Sequence, residues 1–216
     1  MDIQYLGHSS FRIKGKNAVI VTDPYESQKV GFKFSKVDAT IVTSSHDHDD
    51  HNAISQVEGE HKDVTGPGEY EIGGVSIFGI PSYHDDKQGQ ERGRNTIYVF
   101  NIDGVMVCHL GDLGHKLSEE EIGEIGNVDV LLVPVGGVYT IDAGEAAKTV
   151  AELEPKIVIP MHYKVDGLTL SLASQMEPVD SFIKEMGLEK VSDNKFSVTS
   201  DKLPEEMQLV VLERRT

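Results

Sequence analysis

The hydrophobic period changes partway along this 216-residue chain, and that change constrains the fold more than any other feature. Through Leu110 the apolar residues fall in short runs: Ile3–Leu6, Ser10–Lys14, Ala18–Thr22, Thr40–Thr43, Glu69–Ile72, Val75–Ile80, Thr96–Ile102 and Val105–Leu110. Their length and alternation are those of β-strands. Gly73-Gly74 and Asp103-Gly104 lie between the later runs, where hairpin turns need positive φ. After them the pattern alters. Val128–Val135 and Lys156–Pro160 are continuously apolar, as in strands buried on both faces. Before, between and after them come helical stretches: Glu119–Ile125 behind a Ser118 cap, Ala143–Leu153 ending before Pro155, and Pro178–Met186 with Gly187 as its C-cap. Lys195–Thr199 and Met207–Glu213 read as two closing strands. A β-rich half followed by β-α-β-α, with no Pro/Ser-rich linker and no low-complexity tract, predicts one mixed α/β domain over residues 1–216.

Charge and cysteine usage narrow the function. The formal net charge is -16, from 36 acidic and 20 basic residues, so nucleic acid is not expected as a partner. The single cysteine, Cys108, rules out an intrachain disulfide and reads as a small core residue. The start of the chain has neither a basic n-region nor a long apolar run, and no segment reaches ~18 apolar residues. A cytoplasmic protein with no membrane association is the expectation.

The chemistry concentrates in Ser45-His46-Asp47-His48-Asp49-Asp50-His51, directly after the apolar run Ala39–Val42. Three histidines and three aspartates in six consecutive positions are far from a generic polar loop, because histidine is scarce and is a favoured metal ligand. In extended backbone, residues two apart share a face, so His46 and His48 can meet one cation. Asp50 and His51, beyond a turn, can serve a second. Imidazole and carboxylate donors suit zinc, iron or manganese.

His46-x-His48-x-Asp50-His51 resembles the H-x-H-x-D-H signature of the metallo-β-lactamase superfamily. The family's other landmarks follow in order: a lone histidine after a strand (His84), a Gly-Asp pair (Gly111-Asp112) and a late histidine after a buried strand (His162). Leu6-Gly7-His8-Ser9-Ser10-Phe11 and Asp23-Pro24 are similar to the lactonase-like branch of small hydrolases. The resemblance implies a four-layer αβ/βα sandwich and two divalent cations, expected to be zinc, with manganese or iron as alternatives. It implies that His46, His48 and His84 hold the first cation, that Asp50, His51 and His162 hold the second, and that Asp112 bridges them. Asp50, Asp112 and His8 are then the candidate catalytic residues. Two cations ~3.5–4 Å apart need an anion between them, and a bridging hydroxide is a ready nucleophile at neutral pH.

The implied activity is hydrolysis of a small anionic ester, lactone or phosphodiester. A non-enzymatic metal-binding module and a diiron redox protein on the same scaffold are the alternatives. His8 has three readings: substrate contact, orientation of a ligand, or packing. The polar loop Asp85–Asn95 carries Lys87, Arg92 and Arg94, and Arg92 and Arg94 are candidate substrate residues because guanidinium pairs well with carboxylate and phosphate. The competing expectation is a solvated loop whose cations pair with Asp85, Asp86 and Glu91. Thr65–Gly74 is Gly-rich but lacks P-loop spacing, and no Gly-x-Ser-x-Gly elbow occurs. The last fifty residues carry no motif.

Overall fold

The computed structural model describes residues 1–215. Its strands are β1 (Asp2–Gly7), β2 (Ser10–Lys14), β3 (Val19–Thr22), β4 (Ile41–Thr43), β5 (Lys62–Val64), β6 (Gly68–Ile72), β7 (Val75–Tyr83), β8 (Arg94–Ile102), β9 (Val105–His109), β10 (Val130–Pro134), β11 (Ile157–Met161), β12 (Lys190–Asp193), β13 (Phe196–Ser197) and β14 (Gln208–Leu212). The helices are α1 (Ser27–Val30), α2 (Glu119–Ile125), α3 (Ala143–Leu153), α4 (Leu170–Ala173) and α5 (Val179–Met186). The strands form two sheets, ordered β13-β1-β2-β3-β4-β5 and β12-β14-β11-β10-β9-β8-β7-β6.

The change of period read in the sequence is a change of pairing. From β6 to β9 the second sheet is an antiparallel meander, and from β9 through β10, β11, β14 and β12 it is parallel. The parallel strands are covered on both faces. In β10, Val130 and Leu132 enter the core between the sheets, while Leu131 and Val133 enter a second core beneath the helices. β8 divides the same way, with Tyr98 and Phe100 on one side and Ile97 and Val99 on the other. Each such side chain contributes ~1.5–3 kcal/mol by leaving water, so a one-residue slip of register would expose neither face to solvent yet misplace both cores. Three buried residues of α3, Ala146, Val150 and Leu153, seal the outer core. α2 is fixed by a reciprocal capping box between Ser118 and Glu121.

Layers run helix, sheet, sheet, covering layer, the α/β sandwich of the sequence reading. The layer over the first sheet is thin. A single four-residue helix, α1, and the segment after it place Val30, Phe32, Phe34 and Val37 on Leu6, Val21 and Val42.

The structure corrects several boundaries. The expected closing strand Lys195–Thr199 is only Phe196–Ser197, because the chain turns into a 3-10 helix at Ser200–Lys202. β5 and β12 were not expected from the sequence: both are sheet edges whose side chains are mostly or wholly exposed and lack an alternating apolar face. The C-terminal residues supply β14, which lies beside β11, and α4, which borders the cleft described below. Among the described residues no helix is long and apolar enough to cross a membrane.

Candidate metal centre

Each candidate ligand follows the C-terminal end of a strand: His8 after β1, His46, His48, Asp50 and His51 after β4, His84 after β7, Asp112 after β9 and His162 after β11. Asp23, after β3, joins them. His8, Asp23 and His162 leave their strands with φ of 58°, 40° and 51°. Left-handed backbone at a non-glycine residue costs ~1–3 kcal/mol and persists only where its surroundings hold it. Here the N–H of His162 donates to the carbonyl of His8 at 2.9 Å, and the N–H of Asp23 donates to the carbonyl of Thr43 at 2.8 Å. The hydroxyl of Tyr5 also donates to the His8 carbonyl at 2.9 Å.

Gly111 permits the turn that delivers Asp112. A Cβ at this residue, whose φ is 58°, would lie 2.3 Å from Asn95 Oδ1 and 2.6 Å from Ser45 Cβ. The Asn95 side chain braces the turn. Its oxygen accepts the Asp112 N–H at 3.0 Å, and its amide donates to the Leu110 carbonyl at 2.9 Å and to Ser82 Oγ at 2.8 Å.

Asp112 is the hub. Its Oδ2 lies 3.2 Å from His51 Nε2, 3.3 Å from His84 Nε2 and 3.2 Å from His162 Nε2. The remaining donor atoms gather on either side. His46, His48 and His84 form one group, and His8, Asp50, His51 and His162 form another, each with its donor atoms within 4.8 Å of one another. The residues expected from the sequence to hold two cations therefore come together in two clusters that share Asp112.

A proton count shows which atoms await a partner. Ser45 Oγ lies 2.6 Å from Asp23 Oδ2 and 2.9 Å from His46 Nδ1. The serine has one proton, and the carboxylate can only accept it, so His46 Nδ1 donates to the serine. Asp23 Oδ2 also accepts from His51 Nδ1 at 2.9 Å, and Asp23 Oδ1 accepts the Ser45 N–H at 2.9 Å. Both histidines are thereby oriented through Nδ1. Their Nε2 atoms are buried with no hydrogen-bond partner among the described residues. Buried polar atoms are seldom left so. Nitrogens oriented in this way toward a carboxylate fit a divalent cation, which binds histidine in its neutral form.

The electrostatics agree. Burial holds His46 neutral, bringing its pKa down to about 2, and burial together with the neighbouring His162 brings His8 down to about 4. Burial opposes ionisation of Asp112, but His162 and His51 outweigh it and hold the carboxyl well below its ordinary range. Burial disfavours the His51 imidazolium, yet Asp112 and Asp50 outweigh it and raise its pKa. In the cation-free protein a proton on His51 thus occupies part of the place a metal would take.

His8 Nε2 donates to Asp50 Oδ2 at 3.1 Å, and its ring centroid lies 4.2 Å from that of His162. Of its three readings, the structure shows contact with a candidate ligand and burial. Asp47 accepts from Asn52, and Asp49 pairs with Lys29, both at the exposed rim. His109 is structural, donating from Nε2 to the Ser9 carbonyl at 2.8 Å. Cys108 is fully buried in the outer core.

A cleft of about 560 Å³ opens over the centre, bordered by His48, Asp50, His84, Asp112 and His162 and also by Arg92, Tyr139 and Leu172. The loop after His84 is largely exposed, and its Lys87 pairs with Glu91 as the competing expectation has it, but its backbone is organised around one buried carboxylate. Asp85 is 2% exposed and accepts the backbone N–H groups of Lys87, Gly89, Glu91 and Arg92 at 2.7–3.0 Å. Burial resists its ionisation, but these four donors bring its pKa down to about 2. Lys87 pairs with Glu91. Arg92 borders the main cleft, whereas Arg94 borders only a neighbouring cavity of about 340 Å³ beside Thr65, Gly66 and Pro67.

Asp23, Asn95 and Tyr139 were not singled out as site residues in the sequence. Asp23-Pro24 after an apolar run was the available signal for the first, while Asn95 and Tyr139 act only through tertiary contacts.

Comparison with known proteins agrees with this architecture. The family model for the beta-lactamase superfamily domain matches residues 2–162. A solved structure from Thermotoga maritima, described as a candidate zinc-dependent hydrolase of the metallo-beta-lactamase superfamily, is 38% identical, covers 99% of each chain and superposes with a TM-score of 0.83. The UPF0173 metal-dependent hydrolases of Thermococcus kodakarensis and Pyrococcus horikoshii are 31% and 32% identical, each over 74% of this chain and 84% of the relative. From matched domain, shared architecture and the residues gathered at its strand ends, the chain belongs to the metallo-β-lactamase superfamily.

Proposed function

We propose that the protein is a metal-dependent hydrolase that binds two divalent cations, zinc first among the candidates, and acts on a small anionic ester, lactone or phosphodiester. The observation that carries this reading is the convergence of the Nε2 atoms of His51, His84 and His162 on Asp112 Oδ2, with His46 Nε2 buried and without a hydrogen-bond partner among the described residues. The names of the relatives support the same class.

His46, His48 and His84 would hold one cation and Asp50, His51 and His162 the other, with the Asp112 carboxylate available to both. When bound, such cations lower the pKa of water to about 7 and polarise the group under attack. The chain supplies the rest. Asp23 fixes the tautomer of His51 and, through Ser45, that of His46. His8 donates to Asp50 Oδ2, which would orient the Asp50 carboxylate toward the cation it helps to hold.

Metal content by mass spectrometry on protein purified without chelator tests the reading, alongside Asp112→Ala and His48→Ala and a screen of activated esters, lactones and phosphodiesters. About two metal ions per chain in the wild type, lost in the variants together with hydrolysis, is the expected outcome. Wild-type protein that takes up no ion from any candidate metal would refute it.

A further inference from the structure

Within an acidic chain, one cation at the cleft stands without a counter-charge. Lys29 at the rim is taken by Asp49, and in the loop after His84 the carboxylate of Glu91 is taken by Lys87 and that of Asp85 by four backbone N–H groups. No carboxylate oxygen among the described residues lies within the 4.0 Å ion-pair distance of the Arg92 guanidinium. That guanidinium sits instead over the ring of Tyr139, 5.7 Å from its centroid. A cation on an aromatic face is attracted by the ring quadrupole and keeps its hydrogen-bond donors free.

Both partners are fixed in place. The backbone N–H of Arg92 donates to Asp85 Oδ2 at 2.7 Å. Tyr139 is delivered by a tight turn in which its N–H donates to the Gly137 carbonyl at 2.7 Å across Val138, whose φ is 60°. A β-branched residue in that region is a true outlier, and such strain gathers at ligand sites. The Tyr139 hydroxyl accepts from the Gln175 amide at 2.7 Å, tying the turn to the segment that follows α4. The guanidinium thus rests on a ring that two further segments hold in place, and it lines the same cleft as His48, Asp50, His84, Asp112 and His162. Preorganisation of this kind lowers the entropic cost of binding.

We propose that Arg92, seated on Tyr139, is a specificity-determining subsite that binds a second anionic group of the substrate, a carboxylate or phosphate separated from the scissile bond. Arg94, outside the main cleft, has no part in it. The substrate is then bifunctional, with a scissile bond at the metal centre and a terminal anion at Arg92. This inference rests on the metal-site reading above.

Calorimetric titration of the metal-loaded protein tests it, with dicarboxylates from malonate to pimelate, 3-phosphonopropionate, and the monomethyl carboxylate ester of each. In wild type the best-fitting diacid binds at least ~10-fold more tightly than its monoester, a difference of ~1.4 kcal/mol. Arg92→Ala reduces that ratio to about one, with metal content unchanged. Arg92→Lys restores it in part, because an ammonium lacks the planar fork. Tyr139→Phe keeps the ratio and Tyr139→Leu lowers it. Tighter binding of 3-phosphonopropionate than of succinate, with the advantage lost in Arg92→Ala, assigns a phosphate-bearing substrate, and the reverse order assigns a carboxylate. No diacid preference anywhere in the wild-type series, or the same preference in Arg92→Ala, overturns the subsite. Failure of wild type to hydrolyse any activated ester, with the preference intact, removes the hydrolase reading and leaves the subsite standing.

Discussion

Replacing Asp23 by asparagine tests whether the metal site is tuned from behind. The side chain is fully buried and accepts three hydrogen bonds: the Ser45 N–H, the Ser45 hydroxyl and His51 Nδ1–H. Asparagine has nearly the same shape but exchanges one accepting oxygen for a donor. If the amide oxygen keeps the Ser45 N–H, the NH2 group faces His51 Nδ1. That nitrogen must then accept, and the ring proton moves to Nε2, the atom that faces Asp112. The rotated tautomer blocks the lone pair a cation needs. Loss of such an orienting partner typically weakens metal binding ~10–100-fold, which is ~1.4–2.8 kcal/mol. The substitution also leaves one buried donor mismatched, at ~1–3 kcal/mol, so the cation-free protein should melt several degrees lower at ~2–4 °C per kcal/mol for a chain of this size. Competition against a chromophoric chelator gives the affinity, and thermal unfolding in excess chelator gives the stability. A folded Asp23→Asn variant with wild-type zinc affinity would show that Asp23 only packs, and the tautomer argument would fail.

Two further expectations follow from the site. Because its carboxylate neighbours raise the pKa of His51, that residue is protonated at neutral pH without cations and must lose the proton to bind one. Metal affinity should therefore climb with pH until the medium passes the His51 pKa, with proton release that titration in buffers of different ionisation enthalpy will count; a pH-independent affinity contradicts this. Gly114→Ala would place a Cβ 2.3 Å from the backbone carbon and oxygen of His84; it should displace that ligand and lower metal content below wild type while the far-ultraviolet circular dichroism stays native, and undiminished metal content would mean that the backbone absorbs the clash.

How much of this was legible in the sequence depended on how local each signal is. His46, His48, Asp50 and His51 lie in one short segment, so their chemistry shows without a fold. His84, Asp112 and His162 are single residues, readable because each follows an apolar run and falls in the order of a known family. Asp23 and Asn95 have no such neighbours, and their importance lies wholly in what they touch: His51 and Ser45 in one case, the Gly111–Asp112 turn in the other. The Asp85–Asn95 loop was legible in part: Lys87 does pair with Glu91, but no sequence signal shows that Asp85 spends its lone pairs on backbone N–H groups and so leaves Arg92 without it. Strands β5 and β12 were invisible because an exposed edge strand needs no apolar alternation; it borrows order from the neighbour whose ladder it extends.

The origin of the two halves of the cleft has a consequence for how such a protein can diversify. The candidate donor atoms follow the ends of strands locked into two sheets, while the rest of the cleft lining comes in part from the loop after His84, the turn at Val138 and the segment around α4. Exchanging those three loops between relatives should transplant substrate preference without touching the reaction centre. The chain is in effect a reusable engine with a replaceable front plate, and a chimera that keeps its metal while changing its preferred anion would be the natural demonstration.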